Sequence, residues 1–170
     1  MVRQKKLLWA ALLGLLVSAP AGAADLTSLG TFGAWKTYSY TENGSKVCFM
    51  SAAPTKAEGK YTKRGEIFAM VTHRPAERAS DVFSYLAGYG YKNNAEVSIT
   101  IDGKKYLLYG QGENAWTASD EQDKTLTQAI QKGSTMIVEG QSARGTKTKD
   151  TFSLSGSGSA YEAISKACPK

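Results

Sequence analysis

Two dipeptides constrain this chain more than anything else in it. Asn43-Gly44 and Asp102-Gly103 each sit between runs in which apolar and polar residues alternate. A two-residue type I′ turn needs positive φ at both central positions, which Asn-Gly and Asp-Gly tolerate, so each dipeptide predicts a β-hairpin. Register follows by counting outward. Around Asp102-Gly103, Ile99 faces Tyr106 and Val97 faces Leu108, while Glu96, Ser98 and Thr100 take the other face. Around Asn43-Gly44, Tyr40 faces Val47 and Tyr38 faces Phe49, with Trp35, Cys48 and Met50 opposite. A hairpin apolar on both faces either lies centrally in a packed β structure or presents an aromatic surface, and burial is the commoner outcome.

Further strand-like runs occupy residues 66–72, 82–89, 114–118, 135–140 and 149–155, short and punctuated by glycine. Such spacing predicts a mainly β protein, an antiparallel β-sandwich with two short helices, rather than a βαβ fold. Ser119 is placed to cap a helix over residues 120–132, with Leu126, Ala129 and Ile130 on one stripe and Gly133 as its stop. Ser159-x-x-Glu162 reads as a capping box opening a second helix that runs to Cys168. Residues 52–63 and 156–159 read as loops. No repeat or linker divides the chain after its first segment, which predicts one domain over residues 24–170.

The first segment is of a different kind. Arg3, Lys5 and Lys6 precede an uncharged stretch over residues 7–17, and Ala21-Gly22-Ala23 follows as a small-residue site. That order predicts a signal peptide over residues 1–23, cleaved after Ala23. Its apolar stretch is short of the roughly 20 residues that span a bilayer. No later run has that length, so no transmembrane segment is expected after cleavage. Loss of the three basic residues takes the formal charge from +6 to +3, a mildly basic domain for which nucleic acid is not the expected partner. Export also changes how the two cysteines read. In an oxidising compartment Cys48 and Cys168 are expected to form a disulfide. A nucleophilic thiol would need a base, and His73 is the single histidine.

Catalytic chemistry is hard to find. His73 lies in Thr72-His73-Arg74-Pro75, and no G-x-S-x-G elbow accompanies it. Paired histidines, zinc-spaced cysteines, a calcium loop and phosphate-binding glycine motifs are all missing from the sequence, so neither metal nor cofactor is expected. Asp120, Glu121 and Asp123 cluster at a helix start, where the dipole accounts for them. Basic residues collect in residues 56–64 (KAEGKYTKR) and 142–150 (SARGTKTKD). Arg144, Lys147 and Lys149, with Arg74, are the candidate contacts for an envelope component or anionic surface polymer. The expectation is a non-enzymatic binding or envelope-support module. Its rivals are a hydrolase assembled around His73 and a carrier of an apolar ligand lined by Tyr38, Tyr40 and Phe49.

Several of these segments in order resemble the invasion-associated locus B family of exported proteins from Gram-negative bacteria. The resemblance rests on Phe32-Gly33-Ala34-Trp35, Cys48-Phe49, Val71-Thr72-His73-Arg74-Pro75, Gly88-Tyr89 and Ala115-Trp116. It continues through Gly133, Ser142-Ala143-Arg144-Gly145-Thr146 and Asp150-Thr151-Phe152-Ser153-Leu154 to a final helix ending at Cys168. It implies a periplasmic or outer-envelope β-sandwich, linked to host-cell invasion in some members. It supplies no catalytic residues.

Overall fold

The computed structural model describes residues 25–170; the expected signal peptide, residues 1–23, lies outside them. Eleven strands and two helices follow in chain order. They are β1 (Thr27–Phe32), β2 (Trp35–Glu42), β3 (Ser45–Ala52), β4 (Lys56–Gly59), β5 (Phe68–Arg74), β6 (Ala79–Leu86), β7 (Ala95–Ile101), β8 (Lys104–Gln111) and β9 (Asn114–Trp116), then α1 (Asp120–Lys132), β10 (Thr135–Gln141), β11 (Lys147–Ser153) and α2 (Ser157–Ala167). Both hairpins form as the dipeptides require. Asn43 and Gly44 have φ of 50° and 77°, and Asp102 and Gly103 have 46° and 86°. Tyr38 pairs with Phe49, Tyr40 with Val47, Val97 with Leu108 and Ile99 with Tyr106.

The strands make one open antiparallel sheet, in the order β1-β2-β3-β5-β6-β9-β8-β7-β10-β11-β4. The sequence pattern predicted two packed sheets; the pairing is continuous instead. The reason is β9, a three-residue strand that pairs with β6 on one side and β8 on the other, so the two hairpin groups are stitched together. Inner-face side chains from remote strands still share one core. Tyr85 of β6 meets Phe152 of β11 edge to face, ring centroids 6.2 Å apart. Trp35, Met50, Phe83, Ile99, Leu108, Met136 and Phe152 lose all contact with solvent, as do Leu126 and Ile130 of α1 and Ile164 of α2. Helix α1 packs on β6, and α2 packs on β1, β2, β3 and α1.

Helix α1 has the expected bounds, with Ser119 Oγ accepting the Gln122 N–H and Gly133 closing the helix. Helix α2 starts three residues earlier than its capping box suggests. Its cap is Gly156 at φ 85°, and Ser157 is buried, donating its hydroxyl to the Ile130 carbonyl at 2.7 Å. A Cβ at Gly156 would lie 2.1 Å from the Phe32 carbonyl oxygen, so the β1–β2 turn and the entry to α2 touch through backbone. The acids of α1 divide. Strand β9 covers only Ser84–Leu86 of β6, and the Phe83 N–H beyond it is taken by the buried Asp123 carboxylate at 2.9 Å.

Cys48 and Cys168 form the expected disulfide, Cα atoms 5.9 Å apart across a sequence separation of 120. It fastens the end of α2 to β3. Cys48→Ser with Cys168→Ser is expected to cost about 2–5 kcal/mol in urea unfolding relative to the oxidised protein. Reductant should lower the wild-type midpoint and leave the variant unchanged.

Candidate functional site

The two basic stretches, far apart in sequence, are neighbours in the sheet. Strand β4 pairs with β11, Gly59 opposite Thr148 and Glu58 opposite Lys149. The chain after β4 then crosses toward β6, where the Arg64 Nε–H donates to the Ala87 carbonyl at 2.7 Å and the Gly65 N–H to the Gly88 carbonyl at 2.9 Å. The β10–β11 turn is fastened to the same region, the Ala143 N–H reaching the Gly90 carbonyl at 2.8 Å. Its own form is held by Ser142 Oγ, which accepts the Thr146 N–H. These three segments enclose a cleft of about 500 Å³, lined among others by Lys60, Tyr61, Lys63, Arg64, Tyr89 and Arg144.

Arg64 forms the floor and its charge is already used. Its side chain is 4% exposed, and both Nη atoms bond the carboxylate of Asp150, itself 0% exposed, at 2.8 and 2.6 Å. Nη2 also donates to the Tyr85 hydroxyl at 3.1 Å, and that hydroxyl donates to Asp150. The guanidinium lies over the rings of Tyr61 and Tyr89, 5.4 and 5.0 Å from their centroids. Burial is the largest single influence and disfavours the Arg64 charge, but the raising influences, led by the hydrogen bond to Asp150, together exceed it and the pKa rises. The Tyr85 pKa rises as well, first through burial and then through Asp150, so it remains a neutral hydroxyl. Beside this group Tyr89 Oη and Thr148 Oγ1 share a hydrogen bond of 2.8 Å.

Among the described residues, Lys60, Lys63 and Arg144 have no carboxylate partner. No acid lines the cleft. Low-dielectric walls with a single sign of charge draw in anions. The four expected contacts fare differently. Arg144 is in the cleft, and Lys147 lines a more open depression that adjoins it through Lys60 and Arg144. Lys149 instead stands between Glu139 of β10 and Glu58 of β4. Glu58 is held below its ordinary value by its bond to Lys56, with Lys149 contributing. Arg74 is elsewhere, bonded to Glu42, Glu77 and the Tyr40 hydroxyl. Lys60, Lys63 and Arg64 belong to the basic run whose Lys and Arg beside Tyr61 offer a face to a nucleic acid or an anionic glycan, but none of the three is among the four expected contacts.

His73 does meet a serine. Its Nε2 is 3.1 Å from Ser165 Oγ, while Nδ1 accepts the backbone N–H of Asp81 at 3.1 Å. An Nδ1 that accepts leaves the proton on Nε2, so the imidazole donates to Ser165 rather than taking its proton. The ring is 1% exposed and packs edge-on against Tyr161, and the Asp81 carboxylate is turned to Tyr161 and Lys170 instead. The pair is therefore arranged as a brace between β5 and α2, not as a base and its nucleophile. Tyr38, Tyr40 and Phe49 are half-buried, the Phe49 ring stacked on Tyr38 at 5.3 Å between centroids and edge-on to Tyr40 at 6.1 Å. Among the described residues, no three His, Cys, Asp or Glu side chains gather as metal ligands.

Fold and cleft together define a disulfide-linked, mainly β protein with a cationic surface cleft. The family model described as invasion associated locus B (IalB) protein matches residues 35–165, and the chain belongs to that family. The crystal structure of invasion associated protein b from Bartonella henselae has the same fold, with a TM-score of 0.57 at 16% identity, over 83% of this chain and 96% of that one. No curated protein sequence matches the chain.

Two outcomes follow from these geometries. Asp150→Asn leaves Arg64 buried without its counter-charge and should cost about 3–5 kcal/mol by chemical denaturation. Replacing both partners, Arg64→Met with Asp150→Leu, should cost less than the two single changes added together. His73 has its pKa lowered, chiefly by burial and further by Lys170, against Asp81. A depressed histidine pKa favours the folded state above the unfolded value of 6.5, and that stability is lost as pH falls through the folded value. The melting temperature should therefore drop below pH 6.5, and His73→Gln should flatten that part of the profile while lowering the plateau.

Proposed function

We propose that this protein is an exported, non-enzymatic binding module of the bacterial envelope, periplasmic or held at the outer envelope, that engages an anionic component through its cleft. One observation carries the reading: Lys60, Lys63 and Arg144 converge on one cavity with no acid in its lining. Two supports stand beside it. Membership of the IalB family and the Cys48–Cys168 disulfide fit an oxidising compartment outside the cytoplasm. The His73–Ser165 hydrogen bond has the wrong polarity for a hydrolase. The invasion association in the names of the family and of the Bartonella protein is a setting in which such a module would act. It names no mechanism.

Co-sedimentation of the mature domain with purified envelope fragments tests the reading. Binding should weaken steeply as salt rises, since exposed charges are screened beyond about 10 Å at 0.1 M. Lys60→Glu with Arg144→Glu should reduce binding at least about fivefold at low salt. Arg74→Gln, outside the cleft, should change it little. Equal binding by the charge-reversed protein would remove the cleft from consideration.

A further inference from the structure

The nature of the anion can be narrowed from how the cleft is built, and the narrowing rests on the anion-binding reading above. We propose that the ligand is an acidic saccharide, its hydroxyls held on the floor of the cleft and its acidic groups met at the rim. Cation placement is the first argument. Arg64 is the one guanidinium at the floor, and it donates to Ala87, to Asp150 twice and to Tyr85, so the protein itself consumes it. A site for a bare phosphate would aim an unspent guanidinium or a nest of N–H groups inward. Here the one unspent guanidinium, Arg144, is exposed and shares the cavity with the likewise exposed Lys60 and Lys63, three separate side chains suited to acidic groups spaced along a chain.

The floor supplies the second argument. Tyr89 Oη and Thr148 Oγ1 lie side by side, and a hydroxyl pair both donates and accepts. Sugars present the same two-way groups in quantity. The volume of about 500 Å³ falls within the usual range for small-ligand sites.

Competing polyanions fit less well. Single-stranded nucleic acid needs open aromatic faces. Tyr61 is 36% exposed, but Arg64 lies over its ring and Gly59 lies against it, where an added Cβ would be 2.9 Å away, and Tyr89 packs on Tyr91 with Arg64 over it. A bilayer would favour an apolar lip, but of the exposed large apolar side chains Leu26, Leu107 and Tyr109 lie outside the lining, and Tyr61, the one within it, has its hydroxyl bonded to the Ala57 carbonyl.

Calorimetric titration of the disulfide-intact mature domain at low salt tests this. The probes are oligogalacturonate, a phosphorylated mannan fragment, neutral maltohexaose, linear polyphosphate matched in charge, and phosphatidylglycerol vesicles. At least one acidic saccharide should bind about tenfold more tightly than polyphosphate, vesicles or maltohexaose. Thr148→Val and Tyr89→Phe, each checked for folding by its melting curve, should weaken that saccharide about five- to tenfold and leave polyphosphate unchanged. Arg144→Glu should weaken every polyanion. Polyphosphate or vesicles binding as tightly as both saccharides, or hydroxyl variants without effect, would overturn the saccharide assignment while the anion-binding reading stands. No polyanion binding at all would overturn both.

Discussion

A carboxylate with no solvent exposure has to be compensated, and Asp150 is compensated by one side chain, Arg64. That requirement organises one end of the sheet. Arg64 comes from the irregular connection after β4, Asp150 from β11, and the third member, Tyr85, from β6. Satisfying Asp150 therefore draws a long connection down onto the sheet and brings it beside the β10–β11 turn. The Arg64 bond to the Ala87 carbonyl continues the same clamp into the segment after β6. The cleft is what remains between three segments tied to one buried ion pair. Its character follows as well: the arginine nearest the floor is spent on the fold, so the charge left for a ligand is carried at the rim.

The fold was legible wherever local chemistry decides conformation. Asn43-Gly44 and Asp102-Gly103 set both hairpins and their registers, and Ser119 with Gly133 set the ends of α1. What escaped was imposed from outside the segment. Strand β4, Lys-Ala-Glu-Gly, has no strand-forming residue and is extended because β11 offers it a ladder at the sheet edge. Strand β1 carries a register shift between Ser28 and Gly30 and is likewise an edge. The single continuous sheet depends on β9, three residues whose double pairing no periodicity announces. In α2, Ser159 and Glu162 matched a capping pattern, but the buried Ser157 hydroxyl and the backbone approach at Gly156 placed the start earlier.

The candidate site was half legible for the same reason. Each basic run was visible alone, and Arg144 and Lys147 were identifiable, but their union with Lys60 and Lys63 exists only through the β4–β11 pairing. Lys149 and Arg74 show why counting cations overreaches. Alternation sends Lys149 to a face where Glu58 and Glu139 flank it, and Arg74 is occupied by Glu42, Glu77 and Tyr40. A cation is available to a ligand only when the fold leaves it without a carboxylate.

That criterion separates the cleft from the cluster around His73. There, the polar groups answer one another: His73 bridges the Asp81 N–H and Ser165, and the Asp81 carboxylate takes the Tyr161 hydroxyl and Lys170. Together with the disulfide from Cys168 to Cys48, whose cross-strand partner is His73 itself, they anchor the last helix on β3 and β5. Saturated hydrogen bonding of this kind is what a structural joint needs and what a catalytic base cannot have, because a base must keep an acceptor free for its substrate. Around the cleft the balance is reversed. The buried charge at the floor is paired, the charges at the rim are not, and those unmatched groups share one sign.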